Sequence, residues 1–266
     1  MLHREVTEKE ISITEDGAPL LTCCYGDLER PSYCHPLCVP NGQVVTEGAE
    51  TRAQYPPGIC FALGTANGEK LDQQPLTRQR IPSVGETSGE FTIATTWRAQ
   101  EPLLIETLTA QVQPRQTEAQ VLDIEVSLHT PTTSLEFAGN TGIGYYAVEM
   151  EYRRAMNADG RIGESEVNGG VSVWGTLCGI TAAEQEGVGV AIFPHPENGE
   201  TTFFAEDASF GFLFAQATPF SVEAGETHTL KYRVLAYIGD LFTVDVWQFH
   251  EDYIGSRLSA VSNRIL

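Results

Sequence analysis

The sequence predicts an all-β protein: a large antiparallel β-sandwich with a short C-terminal helix. Three observations carry the prediction. Apolar residues recur at every second position in the clearest stretches, turn-forming dipeptides separate those stretches at short intervals, and no strand–helix–strand alternation occurs.

From the N-terminus, strand candidates fall at 10–14, 19–25, 59–64, 90–97, 104–112, 120–128, 143–150, 170–175, 187–193, 208–215 and 230–236. In 120–128, Leu122, Ile124, Val126 and Leu128 share one face and Asp123, Glu125 and Ser127 the other, the pattern of a half-buried strand. Leu104, Glu106, Leu108, Ala110 and Val112 alternate less cleanly with their neighbours, and Leu230, Tyr232, Val234 and Ala236 alternate with Lys231 and Arg233. Turns are marked by Pro40-Asn41-Gly42, Asn67-Gly68, Asp159-Gly160, Asn168-Gly169-Gly170, Asn198-Gly199 and Gly239-Asp240. The segment 65–90, rich in Gln, Gly, Pro, Ser and Thr, reads as a long loop. After the breaker Gly239, the spacing of Phe242, Val246, Phe249 and Tyr253 predicts a helix packed across a sheet face or edge. With no internal repeat and no dividing linker, 1–266 reads as a single domain.

Composition narrows the partners. Against 36 Asp and Glu stand 16 Lys and Arg, a formal net charge of -20 spread along the chain, so nucleic acid and anionic membrane are poor partners. No apolar stretch approaches the ~20 residues of a membrane span, and the opening residues lack a signal-peptide core. The expectation is a soluble, cytoplasmic protein, with a removed leader and a homo-oligomer both left open. Cys23, Cys24, Cys34, His35 and Cys38 offer zinc-ligand types, but adjacent Cys23 and Cys24 would point to opposite sheet faces and no paired CxxC spacing exists. Buried free thiols are the expectation, with no metal and no cofactor.

No GxSxG, HExxH, P-loop or Rossmann glycine signature occurs. His35 and His195 stand out because each leaves a strand into a proline-bounded loop, where a side chain on a β scaffold is held for use.

The run Glu29-Arg-Pro-Ser-Tyr-Cys-His-Pro-Leu-Cys-Val-Pro-Asn-Gly-Gln-Val-Val-Thr46 resembles the opening motif of a bacterial "PmoA-like" family of unknown function. Similar stretches follow in order: Asn157-Ala-Asp-Gly-Arg-Ile-Gly-Glu-Ser-Glu166 leading to Val173-Trp174-Gly175, then 187–198, then Leu230-Lys-Tyr-Arg-Val-Leu235. The resemblance implies a galactose mutarotase-like sandwich and a role in sugar or polysaccharide catabolism. Membrane methane oxidation is not implied, because that chemistry needs spanning helices. A histidine cluster usual in the family is replaced here by Ala53-Gln54-Tyr55-Pro56-Pro57-Gly58, while His35, His195, Trp174 and Asn198 are kept.

Two functional expectations follow. One is a carbohydrate-binding or carbohydrate-processing protein, a catalytically degenerate relative taking a small-molecule or oligosaccharide ligand. The other is an active sugar epimerase, lyase or glycoside hydrolase, in which His35 and His195 meet at one rim of the sandwich and Glu149, Glu164 or Glu166 supplies a carboxylate. The candidate ligand contacts are Tyr55, Trp174, Asn198 and Arg153, with Tyr145 a further stacking ring.

Overall fold

The computed structural model describes residues 1–48, 57–181, 186–207, 211–240 and 243–262. Two large antiparallel sheets lie face to face. One has nine strands, in the order β1 (Leu2–Val6), β2 (Glu10–Glu15), β3 (Ala18–Cys24), β4 (Tyr33–Leu37), β5 (Ile59–Ala62), β12 (Gly142–Tyr146), β18 (Gly211–Ala217), β17 (Thr201–Asp207) and β14 (Gly170–Val171). The other has eight: β13 (Met150–Asn157), β15 (Gly175–Thr181), β16 (Gly187–Pro194), β20 (Thr227–Ile238), β10 (Ala119–His129), β9 (Pro102–Val112), β8 (Glu90–Arg98) and β7 (Thr77–Val84). A small sheet joins β19 (Phe220–Val222), β11 (Leu135–Ala138) and β6 (Thr65–Ala66), and two helices complete the fold, α1 (Glu164–Val167) and α2 (Val246–Ser262).

The main core fills the space between the two sheets. Leu122, Ile124, Val126 and Leu128 of β10 all enter it, paired in register with Val234, Tyr232, Leu230 and His228 of β20. Opposite them lie Ile11, Leu21, Ile59, Ile143 and Leu213 of the nine-stranded sheet. The sheets approach so closely at Gly175 that a Cβ there would stand 2.5 Å from the Phe203 ring.

A second core lies on the outer face of the eight-stranded sheet. Phe193, Leu235 and Tyr237 point away from the sandwich and are covered by Val246 and Tyr253 of α2. Asp245 opens this helix by accepting a 3.1 Å hydrogen bond from the Gln248 amide. The helix lies where the periodicity puts it, across a sheet face; Phe242 lies outside the described residues.

His250 of α2 is buried among Phe193 and Trp247, ring centroids 6.0 and 5.8 Å away, and neither ring nitrogen has a hydrogen-bond partner among the described residues. Burial lowers its pKa, with Glu251 opposing weakly. A histidine depressed in the folded state binds its proton more readily when unfolded, so its stabilising contribution is complete above the ordinary value of about 6.5 and is lost as pH falls through the folded pKa. Melting scans from neutral to acid pH should therefore show the His250→Phe variant losing less stability than the native chain. Parallel curves would contradict this placement of the ring.

The sequence reading of the strands needs correction at several points. The supposed loop 65–90 contains β7, an edge strand whose inward positions carry Arg78, Arg80 and Pro82 in place of an apolar series. Arg80 donates through its two terminal nitrogens to the carbonyls of Tyr25, Asp27 and Arg30. The expected strand 143–150 is two strands, β12 and β13, on different sheets, and β1, β4, β11, β17 and β19 are additions to the expected set.

Candidate functional site

The site is built on the outer face of the nine-stranded sheet. Successive strand residues point to opposite faces. In β12, Ile143 and Tyr145 enter the core, so Gly144 and Tyr146 face outward; in β18, Leu213 and Ala215 enter it, so Phe212, Phe214 and Gln216 face outward. The register aligns Tyr146 with Phe212 and Gly144 with Phe214, and Phe214 with Phe204 of β17. The Tyr146 and Phe212 ring centroids are 4.9 Å apart, and Phe212 and Phe214 are near-parallel at 6.1 Å. Gly144 lets this happen, because a Cβ there would sit 3.2 Å from Phe214 and 3.4 Å from Tyr146. The product is a platform on which Tyr146, Phe212 and Phe204 stay partly exposed.

His35 borders the platform. Cys34 enters the core, so its neighbours Tyr33 and His35 turn outward. Gly58 lies between His35 and Tyr146: its amide bonds to the Glu47 carbonyl and its own carbonyl accepts from the Tyr146 amide at 2.9 Å. Two strand spacings therefore separate His35 from Tyr146, about 10 Å of backbone. The ring is positioned by Thr46, whose Oγ1 is 3.1 Å from His35 Nδ1 and also accepts from the Leu37 amide. On its other side is Gly48, where a Cβ would come within 2.8 Å of His35 Nε2. Beyond Tyr33, Cys24 is its cross-strand partner. Burial above all pushes Cys24 up to about 11 and Tyr33 to about 12, so both are neutral hydrogen-bonding groups at physiological pH.

The expected meeting of His35 and His195 does not occur. His195 lies at the end of β16, on the outer face of the other sheet, with its ring edge-on to Tyr253 of α2 at 5.4 Å. The main core separates the two histidines. His195 Nδ1 accepts from the Glu197 amide at 3.2 Å, capping the short turn Pro196–Asn198. Asn198 pins that turn to β20, donating to the Lys231 carbonyl at 2.7 Å and accepting from the Lys231 amide at 2.9 Å. Trp174 is 2% exposed beneath α2 and meets Trp247 edge-on at 5.6 Å. His195, Trp174 and Asn198 thus share the helix-covered side, away from His35.

Arg153 is nearly buried against Glu164, Nε to Oε1 3.0 Å, and joins β13 to α1. Glu149 and Glu166 are exposed, Tyr145 is buried in the core and Tyr55 lies outside the described residues. Cys34 and His35 point to opposite sides of β4, and among the described residues no three His, Cys, Asp or Glu side chains are grouped closely enough to hold a metal ion.

Sequence reasoning misses Tyr146, Phe212 and Phe214. A signal is present as aromatics at every second position in 212–214, beside outward glycines at 142 and 144. Choosing Tyr145 in place of Tyr146 is an error of one residue, which in a strand is an error of face.

Residues 10–248 match a family described as a family of unknown function, DUF6807. No curated protein matches. The galactosidase domain of an alpha-galactosidase-sucrose kinase, AgaSK, superposes with a TM-score of 0.53 at 10% identity, over 90% of this chain and 42% of that one. Identity that low speaks to the fold alone. An alpha-galactosidase from Lactobacillus brevis (TM-score 0.43, 10% identity, 89% of this chain and 39% of that one) and a candidate aldose 1-epimerase from Escherichia coli K12 (0.45, 9%, 91% and 99%) are more distant. The chain thus spans under half the length of the two galactosidase chains.

Proposed function

Since the chain belongs to the DUF6807 family, whose function is unknown, we propose from the site itself that it binds a carbohydrate on the outer face of its nine-stranded sheet. One observation carries the reading: Tyr146 and Phe212, backed by the buried Phe214, form an aromatic platform with His35, Tyr33 and Gln216 around it. Ring faces pack against the apolar face of a pyranose, while the polar groups at the margin suit its hydroxyls. The carbohydrate names attached to the superposing galactosidase agree with this reading.

Distance rules out Glu206 as the acid–base partner of His35. Glu206 shares a cross-strand row with Phe212, Tyr146, Gly58 and His35. Four strand spacings, about 19 Å of backbone, separate it from His35, against roughly 5–10 Å for paired catalytic carboxyl groups. Glu47, whose backbone bonds both Gly58 and Tyr146, is the nearer carboxylate, and its Oε1 accepts from the Gly48 amide at 3.2 Å.

The PmoA-like relationship belongs to the same proposal, as a link to sugar catabolism. So does a cytoplasmic location, supported by six free cysteines that include the cross-strand neighbours Cys23 and Cys34. Assembly into a homo-oligomer is compatible with the site. The one-domain reading of 1–266 expects a single calorimetric unfolding transition; two resolved transitions would contradict it.

The direct test is ligand-induced stabilisation across a panel of monosaccharides and uronic acids. A sugar at about 100 times its Kd should add about 2.7 kcal/mol, a rise in Tm of roughly 5–10 °C. No shift with any sugar at high millimolar concentration would contradict the proposal.

A further inference from the structure

We propose a second binding site, for a short oligosaccharide, in a groove on the outer face of the eight-stranded sheet, opposite the platform described above. Two cavities of about 450 and 380 Å³ adjoin there, both walled by Thr243. The first is lined by Trp174, Trp247, Met156 and Asn157; the second by Tyr152, Arg154 and Asp240. Together they follow edge strand β13 past the segment that leads into α2.

Both ends of the groove present a ring to solvent. Trp247 is 47% exposed and Tyr152 is 78% exposed. Tyr152 is held there at a cost, because its φ is 51° in a region L-residues avoid. The other described non-glycine residues with positive φ are Asp16 and Asn67, types that tolerate it. The cause is a break in register between Glu151 and Arg154, a bulge of the kind that re-aims a side chain. At the floor, the indole Nε1 of Trp174 is buried without a hydrogen-bond partner among the described residues.

The ligand class follows from the lining. Exposed rings at the two ends suit the apolar faces of sugar units, and Arg154, Asp240, Thr243 and Asp245 between them donate and accept without a single sign of charge. A peptide adding as a strand would need a regular edge, and the bulge in β13 interrupts it. This inference goes beyond the proposed function and does not depend on it, since the two faces share no residue.

The full chain would be titrated with cellohexaose, xylohexaose and a galacturonate hexamer, followed by calorimetry and tryptophan fluorescence. At least one should bind and perturb Trp247, and Tyr152→Ala should weaken that binding tenfold or more. Tyr152→Phe should retain it. Tyr152→Gly should weaken it as alanine does while leaving the melting temperature unchanged or raised, which separates lost contact from misfolding. The tryptophan fluorescence change that reports Trp247 should saturate at the same hexamer concentration in a Tyr146→Ala/Phe212→Ala variant, whatever that variant loses on the other face. The site is refuted if none of the oligomers binds, if Tyr152→Ala binds normally, if the loss follows the Tyr146 and Phe212 changes, or if an extended peptide binds through Tyr152 in their stead.

Discussion

Gly58→Ala should lower the melting temperature by roughly 6–12 °C, the effect of about 3 kcal/mol in a chain of this size. Gly58 has φ +61°, and a Cβ there would lie 2.0 Å from the Cys34 carbonyl oxygen and 3.2 Å from His35 Cβ. The left-handed backbone alone costs an alanine about 1–2 kcal/mol. The clash adds to that, because the atom met is backbone: relief requires β4 and β5 to separate where Cys34 pairs with Ile59. His35 would move with β4, so sugar binding should weaken as well. Gly17 is the control, with φ +84° and nothing within 4 Å of the position a Cβ would take. Gly17→Ala should show the backbone cost without the clash, and equal melting temperatures for the two variants would contradict the described packing beneath His35.

How far the sequence disclosed this architecture depends on what each strand buries. β10 has one apolar and one polar face, so its alternation can be read directly, and Leu122 to Leu128 enter the core as expected. In β7 the inward residues Arg78 and Arg80 donate to carbonyls from the distant loop 25–30, a long-range solution that leaves no local pattern. β17 and β18 carry aromatic or apolar residues on both faces, which erases the contrast that alternation relies on. The site is less legible for the same reason. Proline-bounded loops draw attention to His35 and His195 alike, but the neighbouring sequence cannot show that His195 caps a turn under α2. The platform arises only when β5, β12, β17 and β18 are set in register, and these come from well-separated parts of the chain.

Sugar binding on the nine-stranded face depends on the platform. Replacing Tyr146 and Phe212 together with alanine removes two partly exposed rings and leaves the inward residues Tyr145 and Leu213 in place. Each stacking ring contributes about 0.5–1.5 kcal/mol beyond its buried area, so the pair should weaken sugar binding roughly 10- to 100-fold. Without sugar, the variant should melt within a few degrees of the native chain. His195→Ala should do the reverse: its imidazole accepts from the Glu197 amide and packs on Tyr253, so the change should cost about 1–3 kcal/mol of stability and leave affinity alone. The decisive measurement is calorimetric titration of the native chain and these two variants with the sugar that gives the largest thermal shift. Affinity lost in Tyr146→Ala/Phe212→Ala and kept in His195→Ala is the predicted result. Native affinity in the double variant, or its loss in a well-folded His195→Ala, would contradict a site on the nine-stranded face.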